Sequence, residues 1–303
     1  MAANGSTAVE AVMVGGLPCW RLVSPHGEAL VARQGAQVLR YAPHGQPPVV
    51  WLSDLAVFQP GQPLRGGIPV CWPWFGQFDR NPQAVQAMLV PGAETPAHGF
   101  ARELDWREAG VQAEGEVACL RLELDLPTGQ GGWRHAAGLA LEARLDQALT
   151  LTLTTRNTGR EVLTVSQALH TYFAVSDVRG VAVMGLDGAT CIDTLREWTS
   201  HPQQGALSIQ GETDRIYTGL SGPIAIRDPG WRRTIEIHAA GSRSAVVWNP
   251  WVDKARRLSQ FRPDAWRDML CIETARVWDD VLEVAPGAGA DMRVALRAVS
   301  WDA

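Results

Sequence analysis

Apolar and polar residues alternate with a period of two through the middle of the chain. Leu120, Leu122, Leu124 and Leu126 are separated by Arg121, Glu123 and Asp125. Leu139, Leu141, Ala143 and Leu145 bracket Glu142 and Arg144 in the same way, and threonines separate Leu149, Leu151 and Leu153. Successive side chains of a strand point to opposite faces, so each run predicts a strand with one buried and one wet face. Asn157-Thr158-Gly159 breaks the third run and residues 162–165 resume it, which predicts a hairpin. Further apolar runs predict strands at 181–186, 224–227, 234–239, 245–248, 269–273, 281–284 and 292–299, with Gly, Pro and Asp between them. Helical turns are expected only near 82–89 and 253–258. No alternation of strand with helix and no long stripe of period 3.6 runs through the sequence. With 30 glycines and 19 prolines to make turns, the pattern predicts an all-β fold, one large β-sandwich. No linker, repeat or shift in composition divides it, so residues 1–303 are expected to form a single domain.

Composition narrows the function by exclusion. The hydrophobic fraction of 46% and charged fraction of 19% are those of a globular protein with a sizeable core. A net charge of −5 gives no basic face for a nucleic acid. The longest stretch without a formal charge covers residues 162–176, shorter than the roughly 20 residues of a membrane span. The first twenty residues hold Glu10 and no basic residue, unlike a secretory leader. Cys19, Cys71, Cys119, Cys191 and Cys271 are widely spaced and form no C-x-x-C pair, so neither a disulfide framework nor a zinc site is expected, and a reducing cytoplasm fits. Phosphate-binding, zinc-protease and serine-hydrolase motifs do not occur in the sequence. Of the basic residues only Lys254 is a lysine, read here as a solvated charge on a helix face or, alternatively, a binding cation.

Candidate chemistry sits in a few apolar segments bounded by Gly or Pro. If residues 168–173 are extended, His170 and Tyr172 share a face. Imidazole titrates near neutral pH, so His170 is either a general acid or base or a hydrogen-bonded core histidine. Glu273 closes the apolar run that begins at Met269. It is either a carboxylate aimed into a cleft or a strand-end residue reaching solvent or an arginine, because Glu is rarely buried unpaired. Arg65 and Arg102 lie in compact loops, and a guanidinium fork suits phosphate or carboxylate. Asp214 offers an acceptor for hydroxyls or a turn cap. Trp72, Trp74, Trp248 and Trp251 offer stacking faces or core packing.

Taken in order, the segments Arg65-Gly-Gly-Ile-Pro-Val-Cys-Trp-Pro-Trp-Phe-Gly76, His98-Gly-Phe-Ala-Arg102, Leu169-His-Thr-Tyr-Phe173, Glu212-Thr-Asp-Arg-Ile-Tyr217, Trp248-Asn-Pro-Trp251 and Met269-Leu-Cys-Ile-Glu273 resemble the hexose-6-phosphate mutarotases of the aldose 1-epimerase superfamily. The resemblance implies a twisted, galactose mutarotase-like supersandwich with an open cleft on one sheet. It implies that His170 is the acid and Glu273 the base of anomer interconversion, that Arg65 and Arg102 contact a hexose phosphate, and that Asp214 accepts from a sugar hydroxyl. His98 would line the pocket or cap its loop. No cofactor, metal, protein partner or membrane is implied. The chain departs from the pattern twice. Ala97 stands where some members place a substrate-contacting glutamine, and Gln260 where many have an acidic residue that shapes a local surface. The same chemistry on unphosphorylated hexoses, or carbohydrate binding without catalysis, would use the same scaffold.

Overall fold

The leucine alternation becomes the broad back of a sandwich. In the computed structural model, which describes residues 6–301, the three runs are the strands Val117–Leu126, Ala137–Leu145 and Leu149–Asn157. They pair as neighbours, with Leu141 facing both Leu122 and Leu153. Together with Arg107–Glu114, Gly289–Ser300, Arg233–Ala240, Ile224–Asp228 and two shorter strands they form a nine-stranded antiparallel sheet. Leu120, Leu122, Leu141, Leu151 and Leu153 are buried on its inner face.

An eight-stranded sheet packs over that face. Its order is Thr199–Pro202, Thr190–Asp193, Thr213–Thr218, Ser244–Asn249, Met269–Arg276, Gln167–Leu169 and Val70–Cys71, with Tyr172–Ala174 pairing beside Gln167–Leu169 on Met269–Arg276. Period two sorts these strands as well. Leu169, Tyr217, Val247, Leu270 and Ile272 join the main core against the nine-stranded sheet. Ala168, Ile192, Ile216, Val246 and Ala275 form a separate apolar cluster on the opposite face. Both faces of this sheet are therefore covered or lined, which explains why its strands read as continuous apolar runs rather than alternations.

Three expectations need correction. The hairpin between Leu149–Asn157 and residues 162–165 does not form. Both edges of the Leu149–Asn157 strand are taken by Ala137–Leu145 and Gly289–Ser300, and Leu163–Val165 pairs with Leu282–Val284. The Asn157 amide turns the chain away by donating to the Glu161 and Val284 carbonyls at 2.7 and 2.8 Å. Glu273 does not end its strand, which runs on to Arg276. The second helical turn lies earlier than expected, at Trp251–Ala255, whereas Gln83–Gln86 falls inside its expected range. A four-stranded sheet, Ala8–Val14, Leu17–Ser24, Gly27–Ala32 and Val38–Pro43, was not predicted.

Candidate active site

The site begins with a break in a ladder. Leu169 pairs with Thr274, and Tyr172 pairs with Cys271. Both pairings keep one register, which places His170 opposite Glu273 across the two intervening positions. There the His170 N–H leaves the ladder and donates to the Pro69 carbonyl at 3.0 Å. Side chains directly opposite on one face of an antiparallel pair approach closely. His170 Nε2 lies 3.4 Å from Glu273 Oε1. The pair stands side by side on the cleft floor, too close for a sugar ring to fit between.

The same row continues across the sheet. Glu273 faces Val246, Val246 faces Ile216, and Ile216 faces Ile192. The adjacent row contains Tyr172, Cys271, Trp248 and Asp214. The His170 ring stacks on Tyr172 at 4.8 Å and 9°, which fixes its plane. These rows floor a cleft of about 540 Å³ that His98, Arg65, Arg102, Ala97, Lys254 and Gln260 also line.

Loops over the sheet edge complete the polar end. Gly99 has a φ of 70°, and a Cβ there would lie 2.1 Å from the Trp72 carbonyl oxygen. Only glycine permits that approach, and it sets His98 over the pair, with ring centroids of His98 and His170 5.2 Å apart. His98 Nδ1 accepts from the Gly76 N–H at 3.2 Å, so a neutral His98 carries its proton on Nε2. Gly67 similarly sits where a Cβ would be 2.3 Å from the Val38 carbonyl oxygen, and it places Arg65 beside Tyr172, whose hydroxyl accepts from Nη1 at 3.5 Å. Arg102 donates to the Ala97 carbonyl at 2.8 Å. Ala97 has no side-chain amide to offer the cleft, and its carbonyl holds Arg102 instead.

Electrostatics at the pair follow from burial. Glu273 is 1% exposed, and burial, with Asp214 adding to it, pushes its carboxyl well above the usual range. Burial pushes His170 well below 6.5, assisted by His98, Arg102 and Arg65. His98 is driven down to about 3, chiefly by burial and then by Arg102 and Arg65. Burial therefore favours the neutral pair, carboxylic acid beside imidazole, over the ion pair. His170 Nδ1 and Glu273 Oε2 are both buried without a hydrogen-bond partner. Unsatisfied buried polar atoms are rare, and two in one contacting pair single out this contact as a candidate site.

The remaining candidates divide. Lys254 is not a solvated helix-face charge. Its Nζ lies 3.1 Å from Glu212 Oε1 and 4.0 Å from Asp214 Oδ2, and 5.9 Å from the Trp248 ring. Burial raises the Asp214 carboxyl and Lys254 opposes the shift. Gln260 holds two loops together, accepting from the Val57 N–H and donating to the Pro63 carbonyl. Trp72 and Trp74 are fully buried among Trp133 and Phe100 and belong to the core. Trp248 faces the cleft, whereas Trp251 packs on Trp266 at 4.3 Å.

Sequence reading missed Arg80, Trp198 and Trp278, which also line the cleft. The two indoles stack at 5.4 Å and 16°. Both tryptophans have left-handed backbone, with φ of 59° and 60°, a conformation costing roughly 1–2 kcal/mol for a residue with a Cβ. Their only signal in sequence was two tryptophans within polar loops.

Comparison with known proteins gives the chain relatives over most of its length. The profile described as "Aldose 1-epimerase" matches residues 18–296. A protein of Cenchrus ciliaris named "Putative glucose-6-phosphate 1-epimerase" is 31% identical over 280 residues, covering 88% of this chain and 79% of that protein. One of the same name from Escherichia coli K12 is 32% identical over 253 residues, covering 83% and 80%. Among solved structures, a "putative mutarotase" from Salmonella typhimurium superposes with a TM-score of 0.86 at 25% identity, over 96% of this chain and 94% of that one.

Proposed function

Because the chain belongs to the aldose 1-epimerase family, we propose that it interconverts the α and β anomers of hexose 6-phosphates, glucose 6-phosphate above all. The observation that carries the reading is the His170–Glu273 contact at 3.4 Å on the floor of a cleft that also holds Arg65 and Arg102. The names of the relatives support the phosphorylated substrate, and so do the two guanidinium groups beyond His170.

Ring opening takes a proton from the C1 hydroxyl and gives one to the ring oxygen O5. These oxygens are bonded to one carbon, so a donor and an acceptor standing side by side suit them. Glu273 as carboxylate accepts the first proton, and His170 as imidazolium delivers the second. After opening, the pair is a carboxylic acid beside a neutral imidazole, the state burial favours. Rotation about C1–C2 turns the aldehyde. In closure His170 removes the C5 hydroxyl proton and Glu273 protonates the carbonyl oxygen, so protons balance over the cycle. Such groups contribute about 10²–10⁴-fold.

Starting the cycle requires the proton to pass from Glu273 to His170. Arg65 and Arg102 both oppose a charge on His170. A phosphate dianion bound to them neutralises that opposition, so the 6-phosphate would both orient the ring and charge the acid. Asp214 accepts from a ring hydroxyl, with Lys254 opposing the rise that burial gives its carboxyl, and His98 Nε2 donates into the cleft. The whole chain, 1–303, acts as one domain on a small molecule, without a cofactor, and its five free thiols fit a cytoplasmic setting.

Saturation-transfer NMR between the α and β H1 resonances tests the reading. Glucose 6-phosphate should exchange rapidly at catalytic enzyme concentration, and glucose much more slowly. Saturable binding of glucose 6-phosphate with no acceleration would instead establish a carbohydrate-binding protein.

A further inference from the structure

The cleft is chemically lopsided. Beyond His170 lie two arginines, but on the other side of Glu273 the row continues as Val246, Ile216 and Ile192. Trp198 packs against this apolar cluster. Its ring stacks on Trp278, and the Arg80 guanidinium carbon lies 5.8 Å from its centroid. Arg80 and Trp278 are exposed at the rim. A bare hydroxyl turned toward Val246 and Ile216 would give up bonds to water without replacement.

Orientation follows from the proposed function, on which this inference rests. With O5 at His170, O1 at Glu273 and the 6-phosphate at the arginines, the ring runs C6, C5, O5, C1, C2 along the row. C2 then lies on the Val246 side of C1, and its substituent extends toward Val246, one strand spacing of about 4.8 Å beyond Glu273. An acylamino group suits what lies there. Its methyl packs on the aliphatic floor, its flat amide lies against an indole, and its carbonyl accepts from a guanidinium.

We propose that the Trp198–Trp278–Arg80 end of the cleft is a subsite for an acylamino substituent at C2, and that the substrates include 2-acetamido-2-deoxyhexose 6-phosphates. Burying one methyl group is worth about fourfold in binding, and the amide contacts raise the expected effect to roughly tenfold.

Saturation-transfer NMR on N-acetylglucosamine 6-phosphate and glucose 6-phosphate, with the same enzyme, tests this. Both should be anomerised, the acetamido sugar with a kcat/KM within about tenfold of that of glucose 6-phosphate. Trp198→Ala and Arg80→Met should each lower kcat/KM for the acetamido sugar about tenfold and that for glucose 6-phosphate less than about threefold. Arg80 is exposed, so its variant keeps the test intact if Trp198→Ala fails to fold. Rapid turnover of glucose 6-phosphate with at least tenfold slower turnover of the acetamido sugar would overturn the subsite alone, as would equal losses on both sugars in Arg80→Met. Turnover of neither sugar would overturn the epimerase reading as well.

Discussion

Replacing Glu273 by glutamine separates catalysis from folding more cleanly than any other change. The side chain is 1% exposed and touches His170 at 3.4 Å. Glutamine has nearly the same shape, so packing survives, but an amide cannot take up the C1 proton. Removing a positioned acid–base group costs about 10²–10⁴-fold in kcat, or about 3–5 kcal/mol of barrier. Stability should move the other way. The folded carboxyl has its pKa raised by burial, so it is harmless below the unfolded-state value near 4.5 and destabilises increasingly as pH rises toward its folded value. Glu273→Gln should therefore match the wild type in urea at pH 4.5 and equal or exceed it at pH 8. Saturation-transfer rates at saturating glucose 6-phosphate and urea midpoints at the two pH values provide the readings. A wild-type exchange rate in the variant, or a lost rate accompanied by a several-kcal/mol loss of stability at pH 8, would refute the reasoning.

The same electrostatics predict that His170 and His98 remain neutral through pH 6.5, because burial holds both below the ordinary value. Their imidazole carbon-bound proton shifts should stay flat from pH 8 to 6, and these two groups should cost stability as pH falls below 6.5, where the unfolded chain takes up those protons, against the gain Glu273 gives over the same range. A His170 resonance titrating at or above 6.5 contradicts this. Arg102→Ala should raise KM for glucose 6-phosphate at least tenfold, the effect of a charged hydrogen bond of about 1.5–3 kcal/mol, and leave the KM for glucose nearly unchanged. Asn249→Ala should destabilise by roughly 2–4 kcal/mol. Asn249 is fully buried, donates to the Trp266 and Met269 carbonyls at 2.8 and 2.9 Å and accepts from the Trp251 N–H. A lower urea midpoint with an unchanged m-value would register it.

The sequence by itself determined the β character and much of the strand inventory, because a period of two dictates one buried face whatever the neighbours are. Leu120–Leu126 and Leu139–Leu145 needed no tertiary information. It also supplied the residue types of the site, since the ordered motifs name His170, Glu273, Arg65 and Arg102 without any geometry. Pairing was another matter. Local pattern made residues 162–165 a hairpin partner for Leu149–Asn157, yet Gly289–Ser300, distant in the chain, took that edge. Glu273 looked like a strand end because the apolar run stops there, whereas pairing of residues 274–276 with Gln167–Leu169 and of 274–275 with 244–245 carries the strand past it. Lys254 looked like a solvated charge until the fold set Glu212 and Asp214 beside it. Only the tertiary structure decided that His170 and Glu273 stand side by side on one floor, and that Arg80, Trp198 and Trp278 border it. Register, burial and the field at a charged group are sums over residues remote in sequence, and no local window contains them.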